Sequence, residues 1–348
     1  MKTIGYAAHS ADSPLAPLSF ERRELRANDI AIEILYCGVC HSDLHVARND
    51  WGGSSYPVVP GHEIVGRVIE VGSAVTKFKV GENVAVGCMV DSCQECDECH
   101  NDHEQYCRNG FTLTYGSPDR ITGDMTQGGY SKHLVVREEF VLRIPENLDL
   151  ALAAPLLCAG ITTYSPLREW NIGPGSRVGV VGMGGLGHMA IKLAVGLGAH
   201  VTVISTSPKK EQSAKDLGAH AFLVSKDEEA MTTAGSAFDL IIDTVPVNHD
   251  LNPYIPLLDN DATLVLVGQI GPIEGPNTAP MIFGRRRIAG SLIGGIAETQ
   301  EMLDFCGRMN ILPECEMIKM DEINQAFDRM EKSDVRYRFV IDMASLSA

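Results

Sequence analysis

The sequence has no apolar run of the length a membrane-spanning helix needs, about 20 residues, and its richest stretch, 150–161, is broken by Pro155. After Met1 come one Lys and then polar and Pro-containing sequence, without the basic segment, apolar core and small-residue cleavage site of a secretion signal. Both absences lead to the expectation of a soluble, cytoplasmic protein with no membrane partner. Positive charge is scarce: 29 Lys and Arg face 45 Asp and Glu, a net charge of −16 that repels phosphate backbones over most of the surface. Nucleic acid is thereby excluded as a partner. Low-complexity tracts and internal repeats are missing too, and the 34 glycines are dispersed. An apolar share of 45% with 21% charged residues is an ordinary globular composition, which excludes extended disorder. With 348 residues there is room for about two domains, each able to bury a core.

The two halves differ in rhythm. Up to about Ile144, short Val- and Ile-rich runs at 30–35, 64–71, 83–86, 131–136 and 140–144 are punctuated by Gly, Pro, Asn and Asp, which predicts a β-rich, barrel-like domain. Beyond about Leu150, strands at 177–181, 201–205, 240–243 and 263–267 alternate with helical patterns at 187–197 and 209–217. That alternation predicts a parallel, doubly wound α/β unit. Helices at 298–309 and 323–332 and a strand at 337–342 complete the chain.

Ten cysteines in a reducing compartment stay as thiols, so clustered ones read as metal ligands. Cys93, Cys96, Cys99 and Cys107 form a C-x2-C-x2-C-x7-C run in a loop rich in Asp, Glu and Asn. Such spacing lets four thiolates converge on one tetrahedral Zn²⁺ with no open position. Free thiols or an iron–sulfur site are the competing readings on spacing alone. A second set is dispersed: Cys40 in Cys-His-Ser-Asp-Leu-His, His62 in Gly-His-Glu, and Cys158 in an apolar run. Two sulfurs and an imidazole suit a catalytic zinc that keeps a position for water or substrate. Singly, each residue reads as packing or a turn; only the combination points to a metal. Cys37, Cys88, Cys306 and Cys315 have no partner pattern and read as packing residues, and Arg285, Arg286 and Arg287 as a solvated turn.

Gly182-Met183-Gly184-Gly185-Leu186-Gly187 follows an apolar strand and precedes an apolar-periodic helix, the setting in which G-x-G-x-x-G binds a dinucleotide. The glycines admit a pyrophosphate against the backbone, and the helix N-terminus favours its charge. About 20 residues on, where an NAD-binding chain carries Asp or Glu for the ribose hydroxyls, stand Ser205, Thr206, Ser207, Pro208, Lys209 and Lys210. Hydroxyls and an ammonium, from Lys209 or Lys210, suit a 2′-phosphate, which indicates NADP(H).

These motifs together resemble the zinc-dependent medium-chain alcohol dehydrogenase superfamily, and within it the cinnamyl alcohol dehydrogenase group with its bacterial NADP-dependent aldehyde reductases. Cys-Gly-Val-Cys-His-Ser-Asp at 37–43, Gly-His-Glu at 61–63, the four-cysteine loop, the glycine-rich loop and Asp-Val-Arg-Tyr-Arg-Phe-Val at 334–340 carry the resemblance, which covers nearly the whole chain. It implies a GroES-like β-barrel catalytic domain at 1–151, completed by 293–348, and a Rossmann NADP-binding domain at 152–292. It implies two zincs per chain: a structural one on the four-cysteine loop and a catalytic one on Cys40, His62 and Cys158, with Glu63 as an occasional fourth ligand. Asp43 fixes the His62 tautomer in this scheme. Ser42 donates to the substrate oxygen and relays protons through the nicotinamide ribose to His45. Thr162, four residues past Cys158 on a common helix face, lies near the nicotinamide. Gly182, Gly184, Gly185, Leu186, Gly187, Ser205, Thr206, Ser207 and Lys210 bind NADP(H). By analogy with dimeric relatives the chain is expected to form a homodimer.

The implied reaction is reversible hydride transfer from NADPH to an aldehyde, giving a primary alcohol. Trp51, closely following the 40–45 segment, is placed by the resemblance at the substrate pocket as an apolar wall. Such a pocket favours an uncharged aldehyde with an apolar body over the matching ketone or an oxo acid. A non-catalytic NADPH-binding protein, a zinc-free reductase, and a reductase using NADH or another carbonyl are the alternatives; the intact Cys40, His62 and Cys158 set argues against the first two.

Overall fold

In the computed structural model, which describes residues 1–268 and 270–346, the chain divides into two compact units, Met1–Cys158 with Gly294–Ala348, and Ala159–Ile293. The first is organised by its longest strand, Asp29–Val39. One edge of that strand pairs antiparallel with Ile64–Val71. The other edge is shared: 29–33 pair with His133–Arg137, and 36–39 with Arg338–Asp342. This sharing stitches the C-terminal segment into the sheet beside Cys40. Asn83–Val86, Leu142–Arg143 and Cys315–Lys319 complete seven strands. The last of these runs parallel to Arg338–Asp342, so a crossover is required, and the helix Ile323–Glu331 supplies it. Ile323, Ala326, Phe327 and Met330 recur at helical spacing and are its buried face.

The second unit is a six-stranded parallel sheet in the order Ala221–Val224, His200–Ser205, Arg177–Val181, Phe238–Asp243, Leu258–Leu266, Arg287–Gly290. This is the doubly wound order that reverses at the first strand and places a ligand crevice at the strands' carboxyl ends. Its central strands are almost continuously buried, as helices on both faces of a parallel sheet require.

The α/β class with a β-rich first unit and a doubly wound second one is the class expected from the sequence. Several details differ. The units part after Cys158 rather than after 151, because the turn Ala154–Leu157 is fully buried and packs on the first sheet, where a β-carbon on Gly87 would lie 3.0 Å from Leu157 O. Among the described residues seven strands escape the sequence reading: Lys2–Ala7, Ala16–Glu21, Met89–Asp91, Thr112–Leu113, Ala221–Val224, Arg287–Gly290 and Cys315–Lys319. The arginine run is not simply a turn, since Arg285 takes a left-handed conformation (φ 49°) ending a helix and Arg287 opens the edge strand. Among the described residues no single helix is long and apolar enough to cross a membrane.

Candidate active site

Cys40 ends the long central strand's run and caps the helix His41–Ala47. The cap is closed by Asp43, whose Oδ2 accepts from Cys40 N at 2.9 Å. Asp43 is fully buried, and its carboxylate is used from several sides. Oδ1 accepts from Gly61 N and faces His62 Nδ1, each at 3.0 Å, and Oδ2 also accepts from the Tyr130 hydroxyl at 2.9 Å. Tyr115 hydrogen-bonds the same carboxylate, its ring 5.7 Å from that of His62. With Nδ1 donating to Asp43, Nε2 is the nitrogen His62 can offer a metal.

One ligand atom from each of Cys40, His62, Glu63 and Cys158 lies within 4.8 Å of the others, and all four residues are buried. The Cys40 and Cys158 sulfurs are 3.9 Å apart. Two thiolates bound at about 2.3 Å to a tetrahedral zinc are separated by about 3.8 Å, so the pair fits that ion. Cys158 sits just before the helix Ala159–Glu169 rather than inside it, so a shared helix face with Thr162 does not arise. Hydrogen bonding from Cys158, with help from the charges of His62 and Arg338, holds the Cys40 thiol well below its usual range. Burial pushes Glu63 up to about 7, opposed by the Arg338 guanidinium.

Arg338 is the residue that sequence reasoning missed. It is 5% exposed, it pairs with Glu63, and it donates to Val39 O at 3.0 Å. Glu63 Oε2 has no hydrogen-bond partner, an orphaned buried oxygen beside the two sulfurs. Its room comes from Gly38, where a β-carbon would lie 1.9 Å from it. The only signal for Arg338 was a cation leading an apolar strand, and its destination depends on strand pairing. Asp50 was missed as well: His45 Nδ1 lies 2.8 Å from its Oδ2, and the His45 ring lies 5.0 Å from that of Trp51, which is 43% exposed. Ser42 is half-buried, its Oγ 3.7 Å from the Cys40 sulfur.

The four-cysteine loop gathers its own sulfurs. Cys93 and Cys96 lie 3.8 and 3.6 Å from Cys99, and backbone N–H groups of Cys93, Glu95 and Arg108 donate to Cys107, Cys93 and Cys96 at 3.4–3.5 Å. The Glu95 N–H in particular pulls the Cys93 thiol down to about 6, while burial pushes Cys99 up to about 12. These separations also fit a tetrahedral zinc.

In the second unit the glycines divide their labour. Gly182 turns at φ +88°, and a β-carbon on Gly187 would lie 2.3 Å from Gly182 O, whereas one on Gly184 would meet nothing within 4 Å. The first makes the turn, the last seats the helix Gly187–Gly196, and the middle one leaves open backbone for a pyrophosphate. Lys210 Nζ donates to Met183 O at 3.4 Å, bringing the basic group to this loop. Ser205 is buried, and its Oγ accepts from Ser207 N at 3.4 Å, while Thr206 and Lys209 are exposed.

Residues 26–146 match the model of the alcohol dehydrogenase GroES-like domain, and 185–308 that of the zinc-binding dehydrogenases. The chain is 54% identical over 349 residues to an NADP-dependent alcohol dehydrogenase C of Mycolicibacterium smegmatis, covering 99% of each chain. It is 52% identical to the aldehyde reductase YahK of Escherichia coli, over the full length of both. Among solved structures it is similar to a cinnamyl alcohol dehydrogenase of Sorghum bicolor (TM-score 0.95, 48% identity, 99% and 98% covered). A Helicobacter pylori enzyme of that type, solved as a complex with NADP(H), superposes with TM-score 0.91 at 40% identity, 99% of each chain covered.

Proposed function

The chain belongs to the zinc-binding alcohol dehydrogenase family, and from that premise we propose that it reduces aldehydes to primary alcohols with NADPH and catalyses the reverse oxidation. The observation that carries this reading is the buried convergence of Cys40, His62, Glu63 and Cys158 at a sulfur spacing suited to zinc. Two zincs per chain follow from it. Cys40, His62 and Cys158 hold one, with Glu63 as an exchangeable fourth ligand; Cys93, Cys96, Cys99 and Cys107 hold the other in a closed shell. When bound, the first zinc supplies Lewis acidity toward a carbonyl oxygen and NADPH supplies the hydride.

The chain's own residues do the rest. Asp43 keeps the His62 Nδ1 protonated and the ring oriented. Ser42 Oγ donates to the substrate oxygen, and His45, its Nδ1 anchored by Asp50, exchanges that proton with solvent. Gly182, Gly184, Gly185, Leu186 and Gly187 receive the pyrophosphate, Thr162 adjoins the nicotinamide, and Ser205, Thr206, Ser207 and Lys210 form the 2′-phosphate pocket. That pocket is supported by Lys210 meeting the glycine-rich loop and by the absence of any carboxylate from 205 to 210. Trp51 forms an apolar wall for the substrate. A cytoplasmic setting is the one in which the six cysteines proposed as zinc ligands stay reduced. An open edge strand, Arg287–Gly290, with Phe283 89% and Ile282 72% exposed just before it, supports pairing with a second copy as a homodimer.

Metal analysis of the purified protein together with NADPH consumption on benzaldehyde tests the reading. Two zincs per chain and NADPH oxidation are expected. One zinc per chain, or faster turnover with acetophenone or an oxo acid than with the aldehyde, overturns the corresponding part.

A further inference from the structure

Asp243 ends the strand Phe238–Asp243 beside Val181, the last residue of the strand that runs into the glycine-rich loop. The residues after it are fastened to that loop. Thr244 donates twice to Val181 O, from its backbone N–H at 3.0 Å and its hydroxyl at 2.8 Å. A β-carbon on Gly182 or Gly187 would lie 2.8 or 3.1 Å from Thr244 Oγ1. Whatever holds residues 243–250 therefore also shapes the loop that faces a pyrophosphate.

The Asp243 carboxylate is 1% exposed; Oδ1 accepts from Val245 N at 3.0 Å, and Oδ2 lies 2.8 Å from His249 Nε2, a close charge pair without aligned hydrogen-bond geometry. On the other side of the same ring, His249 Nδ1 lies 2.9 Å from Val247 O. With Nδ1 donating to the Val247 carbonyl, an unprotonated Nε2 would set its lone pair 2.8 Å from a carboxylate oxygen, so the two contacts coexist without repulsion only when both ring nitrogens carry hydrogen. Neutral imidazole has one such hydrogen; imidazolium has two. The other groups facing the ring are Asp250 and the Tyr254 ring, edge-on at 6.0 Å. The close Asp243 carboxylate raises His249 above the ordinary 6.5, against the opposing effect of burial.

We propose that the doubly protonated ring of His249 latches residues 244–250 against the glycine-rich loop, so that cofactor affinity is coupled to the proton on this histidine. His249 is a positioning residue, acting through Asp243, Thr244 and Val245. The inference rests on the reading that this loop binds NADPH. Because the latched state raises the histidine's pKa, the latch is complete below the ordinary value and is lost as pH rises through the raised one. Binding weakens in the same window, and by reciprocity NADPH must raise the histidine's pKa by the matching factor.

The test is fluorescence titration of NADPH from about pH 5.5 to about pH 9, spanning the range of a perturbed histidine, for the full chain and for His249→Gln, whose amide does not titrate. A proton NMR titration of the His249 ring in the unsubstituted protein, with and without NADPH, accompanies it. The unsubstituted protein is expected to lose about fivefold to tenfold in affinity across this range beyond any change in the variant, the low end of inter-site coupling. The ring is expected to titrate at higher pH with NADPH bound. Parallel affinity profiles, or a ring pKa that NADPH does not move, overturn the latch, and the NMR result stands even if the variant folds poorly. Absence of NADPH binding at every pH overturns the cofactor reading itself.

Discussion

In the 93–107 loop, sulfurs close in sequence are gathered by backbone N–H groups of the same loop. Around Cys40 the ligands come from positions 40, 62, 63 and 158, all four residues are buried, and order comes from a carboxylate shared by Cys40 N, Gly61 N, His62 and Tyr130. The contrast is one of purpose. A metal held by one loop with four sulfurs orders chain that has little apolar surface to bury. The Cys40 cluster draws its order from that shared carboxylate, so under the proposed reading a metal there is free to serve chemistry.

The largest expected effect separates these duties. Cys40→Ser or His62→Ala is expected to cut kcat/KM by at least about a thousandfold, since a Lewis acid contributes several kcal/mol, while the melting temperature stays near that of the parent. Cys99→Ser is expected to do the reverse: activity persists in the folded fraction, and the melting temperature falls by roughly 5–10 °C, at 2–4 °C per kcal/mol for a domain of this size. Calorimetry with zinc analysis on the three variants checks this, and a common response would erase the contrast.

A smaller effect probes the buried network that the loop lacks. Asp43→Asn keeps the shape but leaves one acceptor oxygen where backbone, imidazole and phenol donors converge. Zinc affinity and kcat/KM are expected to fall about 10–100-fold together, the usual cost of losing a metal ligand's hydrogen-bond partner. Loss of kcat/KM at full zinc occupancy would assign Asp43 to the substrate instead.

The same contrast governs what was readable from sequence. Local regularities were plain: Ile64–Val71, Asn83–Val86 and Arg177–Val181 match their hydrophobic runs, and the cysteine spacing and glycine-rich loop are contiguous motifs. Most of the missed strands bury too little to show a pattern, and Lys2–Ala7 hides its alternation in small or polar residues, Thr3, Gly5 and Ala7. Ala16–Glu21 alternates half-buried with exposed positions and contains Pro17, and Ala221–Val224 buries one residue of four. Arg338 and Asp50 act through partners 275 and five residues away, Glu63 and His45. For Arg338 a distance that only strand pairing closes leaves no spacing to recognise, and the short His45–Asp50 step follows no regular helical spacing; the Cys40, His62 and Cys158 set could be combined from residue types alone, while the four-cysteine loop could be argued from its own spacing.

The cofactor loop belongs with the locally legible sites, so one exposed substitution there is expected to retune it. Thr206 is exposed just past the end of the strand His200–Ser205, four residues before Lys210. Thr206→Asp places a carboxylate where the 2′-phosphate is proposed to sit. The ratio of kcat/KM for NADPH over NADH is expected to drop about tenfold, equivalent to ~1.4 kcal/mol and within the range of one charge-assisted contact. An unchanged ratio moves the phosphate pocket elsewhere.

Trp51 is the smallest and sharpest case, because it packs near His45 yet is 43% exposed. Its ring lies 5.0 Å from His45, so two duties compete: an apolar wall for the substrate, or a brace for the proton-carrying imidazole. A half-exposed ring packs one face only, which limits its loss to roughly 1 kcal/mol, or about fivefold. As a wall, Trp51→Ala is expected to lower kcat/KM about fivefold for benzaldehyde and much less for a short aliphatic aldehyde, with Trp51→Phe recovering most of the loss. As a brace it would lower both substrates equally, because the imidazole it packs on serves the proton whichever aldehyde is bound. Comparing the two aldehydes therefore decides whether the side chain beside the 40–45 segment recognises the substrate or serves the proton.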